Sequence, residues 1–107
     1  ETTATGNTQS ASVDNAAQTT AGGAGYLELS ALTLGGYTNF QVVLQDSADN
    51  ITFADISGGS FPANTSAPAA QRLALTGTIR RYTACRWAFS GAGSGQSATF
   101  MAGIVRT

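Results

Sequence analysis

Asp46, Asp49, Asn50 and Asp55 lie within ten residues of one another and form the acidic cluster of the chain. Closely spaced Asp and Asn oxygens are the donors that hard cations such as calcium take. The spacing and the terminal Glu of an EF-hand loop are missing, however. The same residues also make tight hairpin turns, because Asp and Asn side chains close local backbone hydrogen bonds and tolerate left-handed geometry. The turn is the preferred reading. As an acid/base pair the cluster is weaker still, since nothing beside it suggests a buried carboxyl with a displaced pKa.

Cys85 has the type of a nucleophile but no imidazole to activate it, because the chain has no His. Its place in an alternating segment suits a buried, inert thiol. A single Cys also excludes an intrachain disulfide and a Cys-based zinc site. Trp87 with Tyr26, Tyr37 and Tyr82 could form a sugar-stacking face. Alternatively Trp87 is a core aromatic, in phase with Cys85 and Phe89, while Tyr37 stands exposed beside a Gly turn. Arg80, Arg81 and Arg86 could form a basic patch, but a solvated strand face or a protein–protein salt bridge is the preferred reading. Asn50-Ile51-Thr52 and Asn64-Thr65-Ser66 match the glycosylation sequon, which carries no meaning without a secretory context. No catalytic, cofactor-binding or metal-binding residue is assigned, no cofactor is expected, and the chain is expected not to be an enzyme.

The elements that position these residues follow from composition and period. At 107 residues the chain has room for one domain, and 42% hydrophobic residues are enough for a core. Charged residues make up only 10%, against about 25% in an average globular protein. Small residues take their place: Thr, Ser, Ala, Asn, Gln and 13 Gly suit strands and turns. A net charge of −1 gives no electrostatic reason to bind nucleic acid or an anionic membrane. No apolar run approaches the ~20 residues of a membrane span. The first residue is Glu rather than Met, which points to an artificial or processed end, or to the start of a module within a longer protein.

Residues 1–25 read as an extended Thr/Ala/Gly-rich leader. Alternation through Ala11-Ser12-Val13-Asp14 suggests a short edge strand over residues 10–15 with Val13 on the core. Residues 26–107 read as the β domain. Leu27, Leu29 and Ala31 share one face of the first strand, and Phe40, Val42 and Leu44 share one face of the second. Ile51 to Ile56 is the hairpin partner, with a bulge if Phe53 and Ile56 both face inward. A long connection over residues 58–70 holds Phe61 at the core edge. Leu73, Leu75 and Ile79 lie in phase over residues 71–79, where Gly77 leaves space for Trp87. Thr83, Cys85, Trp87 and Phe89 alternate next, then Phe100, Ala102 and Ile104. No segment has a helical period. The pattern predicts an all-β fold, a two-sheet antiparallel β-sandwich of Ig-like or jelly-roll-like kind, with about six to eight short strands. Its expected core is Leu27, Leu29, Phe40, Val42, Leu44, Phe53, Leu73, Leu75, Trp87, Phe89, Phe100 and Ile104.

The stretches TATGNTQSASVDNAAQTTAGGAGYLELSA, VVLQDSADNITFADI, QRLALTGTIRRYTACRW and SATFMAGIVR together resemble a β-sandwich module of tailed-bacteriophage structural proteins. The shared features are an alternating strand leading into a Ser-Ala-Asp-Asn hairpin, an aromatic (here Phe53), a Gln-Arg-hydrophobic strand, Thr-Gly-Thr, Arg-Tyr and a Trp. The resemblance spans nearly the whole chain; Cys85 and Arg80 depart from it. It implies a non-enzymatic virion component, on tail or capsid surface, partnered by other copies of itself and by other virion proteins. Few Lys residues would reduce the side-chain entropy lost at such contacts. The polar leader, too short to fold alone, is expected to lie on its own sandwich or across a neighbouring copy, and in the second case its first ~20 residues are mobile in an isolated module. The alternative is a carbohydrate-binding or host-surface adhesion module with a glycan partner. It requires a row of exposed aromatics.

Overall fold

Large apolar residues at every second position, punctuated by Gly- and Ser-rich turns, give strands and no helix among the described residues. The computed structural model describes residues 2–4, 8–10 and 12–106, with backbone alone for residues 2–4, 8 and 106. Three short strands come from the leader: β1 (Thr2–Ala4), β2 (Thr8–Gln9) and β3 (Val13–Asp14). Six longer ones follow: β4 (Gly23–Thr33), β5 (Asn39–Ser47), β6 (Ala54–Ser60), β7 (Ala69–Leu75), β8 (Tyr82–Ser90) and β9 (Ser97–Arg106). They form two antiparallel sheets facing each other, a β-sandwich. One has the order β1-β9-β4-β7, and the other β2-β8-β5-β6 with β3 also on β8.

The core lies between the sheets. Leu27 and Leu29 of β4, Leu75 of β7 and Phe100 of β9 meet Phe40, Val42 and Leu44 of β5 and Cys85, Trp87 and Phe89 of β8. Trp87 packs edge-on against Phe100 at 5.2 Å between ring centroids, and Phe40 lies between Phe100 (5.4 Å) and Phe89 (4.9 Å). The sheets come close at Gly25, where a Cβ would sit 2.4 Å from Leu44 Cδ1.

Several sequence expectations change here. A bulge between Leu29 and Ala31 shifts the phase of β4, so Ala31 is exposed and Leu32 and Leu34 turn inward. Phe53 is only half-buried and outside the core. The turn holds on to residues 51 and 52 through Asp49, so strand pairing resumes only at Ala54. Phe61 is fully buried rather than at the core edge, its N–H donating to Val42 O at 3.0 Å. β7 stops at Leu75, and Ile79 reaches the core from the following connection, bridged to Thr19. Gly77 makes no room for Trp87: it sits in that connection at φ +83°, and a Cβ there would meet no atom within 4 Å. Leu73 and Ile104 pack on the core while only partly buried.

In the leader, Val13 is 59% exposed rather than in the core. The neighbouring Asn15 takes the inward role, its Nδ2 donating to the buried Thr83 Oγ1 at 3.1 Å. Residues 1, 5–7, 11 and 107, and with them the expected place of Ala11, lie outside the described residues.

Candidate functional site

The acidic cluster does not converge. Asp46 is buried near the end of β5 and faces Arg80, in the β7–β8 connection. Arg80 donates from its backbone N to Asp46 Oδ2 (2.9 Å), from Nε and Nη2 to Oδ1 (3.0 and 2.9 Å), and from Nη2 to the Asp46 carbonyl (3.1 Å). Both oxygens of this carboxylate thus hold a loop onto a strand. Charge-assisted, forked contacts of this kind fix geometry strongly.

Asp49 serves the turn. Its Oδ1 accepts from Ile51 N (2.9 Å), Thr52 N (3.0 Å) and Ser47 Oγ (2.9 Å). Ser47 Oγ in turn accepts from Asp49 N (3.2 Å) and Asn50 N (3.0 Å). Asn50 has the left-handed φ of +62° that such a turn requires. These backbone donors hold the Asp49 carboxyl below its ordinary 3.8. Turn chemistry therefore accounts for each of these oxygens.

Asp55 of β6 meets Arg86 of β8 across β5, with Nε to Oδ1 and Nη2 to Oδ2 both at 2.9 Å. Gln45 Nε2 adds a third donor to Oδ1 at 3.0 Å. The pair runs diagonally over the outer side of β5, where Val43 and Gln45 are buried. Arg86 is the main cause of the lowered Asp55 pKa. Arg81 completes the set by gripping Asp14 of the leader at 2.7 and 2.9 Å. That contact, with the Ala16 amide, draws the Asp14 carboxyl from 3.8 to about 2. The three candidate patch arginines are thus each bound to an aspartate. Sequence alone carries no signal for these pairings, since the partners lie 31 to 67 positions apart. Among the described residues, no three His, Cys, Asp or Glu side chains gather as a metal-ligand set.

The aromatics separate likewise. Trp87 is 6% exposed, and Tyr37 packs on Phe89 at 5.6 Å. Tyr26 stands on the outer face of the β4 sheet beneath Arg72, at 5.7 Å, whereas Tyr82 belongs to the other sheet and lies under Arg81, at 5.0 Å. Trp87, Tyr26, Tyr37 and Tyr82 therefore share no single face. Cys85 is buried, and desolvation raises its thiol pKa, the direction that makes a sulfur inert. Of the two sequon asparagines, Asn50 is exposed and accepts from Ser12 Oγ at 2.6 Å, while Asn64 is buried and bridged to Phe40.

A cleft of about 200 Å³ opens along the seam where β8 and β9 face one another, lined by Ser10, Val13, Leu44, Cys85, Ala102 and Ile104 among others. Its walls carry no charged side chain. Compared with known proteins, the chain matches no family model, and no curated protein sequence matches it.

Proposed function

We propose that this chain is a non-enzymatic structural module of a bacteriophage particle, on the tail or the capsid surface, acting through repeated contacts with copies of itself and with other virion proteins. The particle is taken from the sequence resemblance. The observation that supports a structural role is the use made of the charged side chains: Asp14, Asp46 and Asp55 are tied to Arg81, Arg80 and Arg86, and Asp49 to backbone amides. Chemistry-bearing groups are spent on joining the leader, the turn and the strands. The outward surface carries the exposed Asp14–Arg81 and Asp55–Arg86 pairs, Glu28 and Arg72 among small uncharged residues, and Tyr26 and Met101 lie side by side on the outer face of the β4 sheet.

Electron microscopy of particles labelled on this chain tests the reading. Regular density on tail or capsid is the expected result, and a host-cell protein absent from particles overturns it. A glycan array tests the adhesion alternative, for which binding lost on Tyr26→Ala is the positive outcome.

A further inference from the structure

Residues 12–15 run along the side of β8 away from β5, and residues 16–18 lead from there to Thr19. Val13 is the one large apolar side chain of this segment and is 59% exposed. Asp14, Ala16, Ala17 and Gln18 are exposed too, and Ser12 and Asn15 are half-buried. Polar contacts tie the segment down, most of them to one residue. Arg81 grips Asp14 with its guanidinium at 2.7 and 2.9 Å, and its carbonyl accepts from Asn15 N and Nδ2, each at 3.0 Å. Both side chains of that ion pair are nearly half exposed, and such pairs contribute little to stability. Asp14 also accepts from Ala16 N at 2.8 Å, and Ala16 stands at a left-handed φ of +69°, which is unfavourable for an L-residue with a Cβ. Thr19 is held differently: it exchanges two 2.9 Å backbone hydrogen bonds with Ile79, which is fully buried in the core. The seam cleft is lined by Val13 and Asn15 of this segment and by Leu44, Cys85 and Ile104 of the sheets.

We infer that residues 12–18 form a strap that opens as a unit while the sandwich stays folded, and that this opening admits solvent to the Cys85 thiol. Segments with few buried apolar contacts and exposed hydrogen bonds open well below the free energy of global unfolding. Asp14 and Asn15 come away together, because Arg81 holds both. The core loses nothing, since no side chain of residues 12–18 belongs to it. Ala16 gives back its unfavourable backbone conformation on release. The opening stops at Thr19, because its partner Ile79 is part of the core. Cys85, 8% exposed in the closed form, then loses the cover of Val13 and Asn15 over the cleft. The inference stands independently of the particle reading.

Cys85 is the single thiol of the chain, so its reaction with an aromatic disulfide reagent reads the opening. The Cys85 thiolate attacks the reagent's disulfide, a mixed disulfide forms and one arylthiolate leaves, which absorbance follows. The folded full chain should react faster than its global unfolding equilibrium allows, and with a shallower urea dependence, because opening exposes less surface than unfolding. Asp14→Ala removes the ion pair and the Ala16 contact and should speed the reaction about two- to fivefold. Asp55→Ala breaks an ion pair of similar exposure on the outer side of β5. It should leave the rate in native buffer unchanged even where it lowers the melting temperature. A thiol that reacts only at the rate of global unfolding, sped equally by both substitutions, overturns the strap. A thiol that reacts at once and does not respond to Asp14→Ala also overturns it, since the cleft would then admit solvent without any opening.

Discussion

Trp87 supplies a large share of the inter-sheet contact, because its indole meets Phe100 across the core and is buried with the Phe40 and Phe89 rings. Truncation leaves a cavity bounded by two sheets that cannot both collapse onto it, so Trp87→Ala should cost ~3–5 kcal/mol in urea unfolding. Its Nε1 is buried without an acceptor among the described residues. Trp87→Phe removes that unmatched donor together with part of the volume, and should therefore cost clearly less than Trp87→Ala. The carboxylates give a second prediction. Folding draws Asp14 from 3.8 to about 2 and lowers Asp49 and Asp55. A carboxyl with a depressed folded pKa binds its proton more weakly in the folded chain than in the unfolded one. Its contribution is complete above the ordinary pKa and is lost as pH falls through the folded value. The melting temperature should be level from about pH 7 to about 5 and fall between about pH 4 and 2. A fall already present near pH 6 would contradict these pairings.

The hairpin between β5 and β6 shows what an element reveals in sequence and what it hides. Asp49 and Asn50 are legible as turn residues because their chemistry is local: the Asp49 carboxylate closes onto amides two and three positions ahead. Asp49→Ala should lower the melting temperature by freeing those amides. Chelator should leave the melting temperature unchanged, since a bound calcium would have stabilised the fold by mass action. The same alternation that locates β4, β5, β8 and β9 does not show the bulge after Leu29, which depends on the partner register with β9 rather than on β4 alone. Phe61 is only loosely placed by period, because it enters the core from a connection where no period marks the inward side. Ile79 faces inward as its phase suggests, but from the connection after β7 rather than from the strand. The Arg–Asp pairs are hidden for the same cause, being set by which strands the topology brings side by side. Strand periodicity is a local property, and these features are tertiary.

At the scale of the whole molecule, the leader joins what the longer strands leave separate. β1 lies on β9 in one sheet, while β2 and β3 lie on β8 in the other, so a single polar segment covers edges of both sheets along the β8–β9 seam. Its hold is mainly polar: Ser10 N donates to Cys85 O at 2.8 Å, Asn15 N to Arg81 O at 3.0 Å, and Asp14 receives Arg81. The described part of the leader therefore takes the first of its two expected places, on its own sandwich. Removing residues 1–15 should leave the six longer strands with their core, because Leu27, Phe40, Trp87 and Phe100 all lie outside the deleted segment. It also uncovers the β8 edge opposite Val13 and Thr8 and the β9 edge over residues 98–100. Unprotected edges of this kind template further strand pairing. The truncated chain should keep an all-β circular dichroism spectrum, melt at a lower temperature and aggregate faster than the full chain, as light scattering at matched concentration measures. A truncated chain that melts unchanged and stays dispersed would mean that the leader contributes nothing to closing the seam.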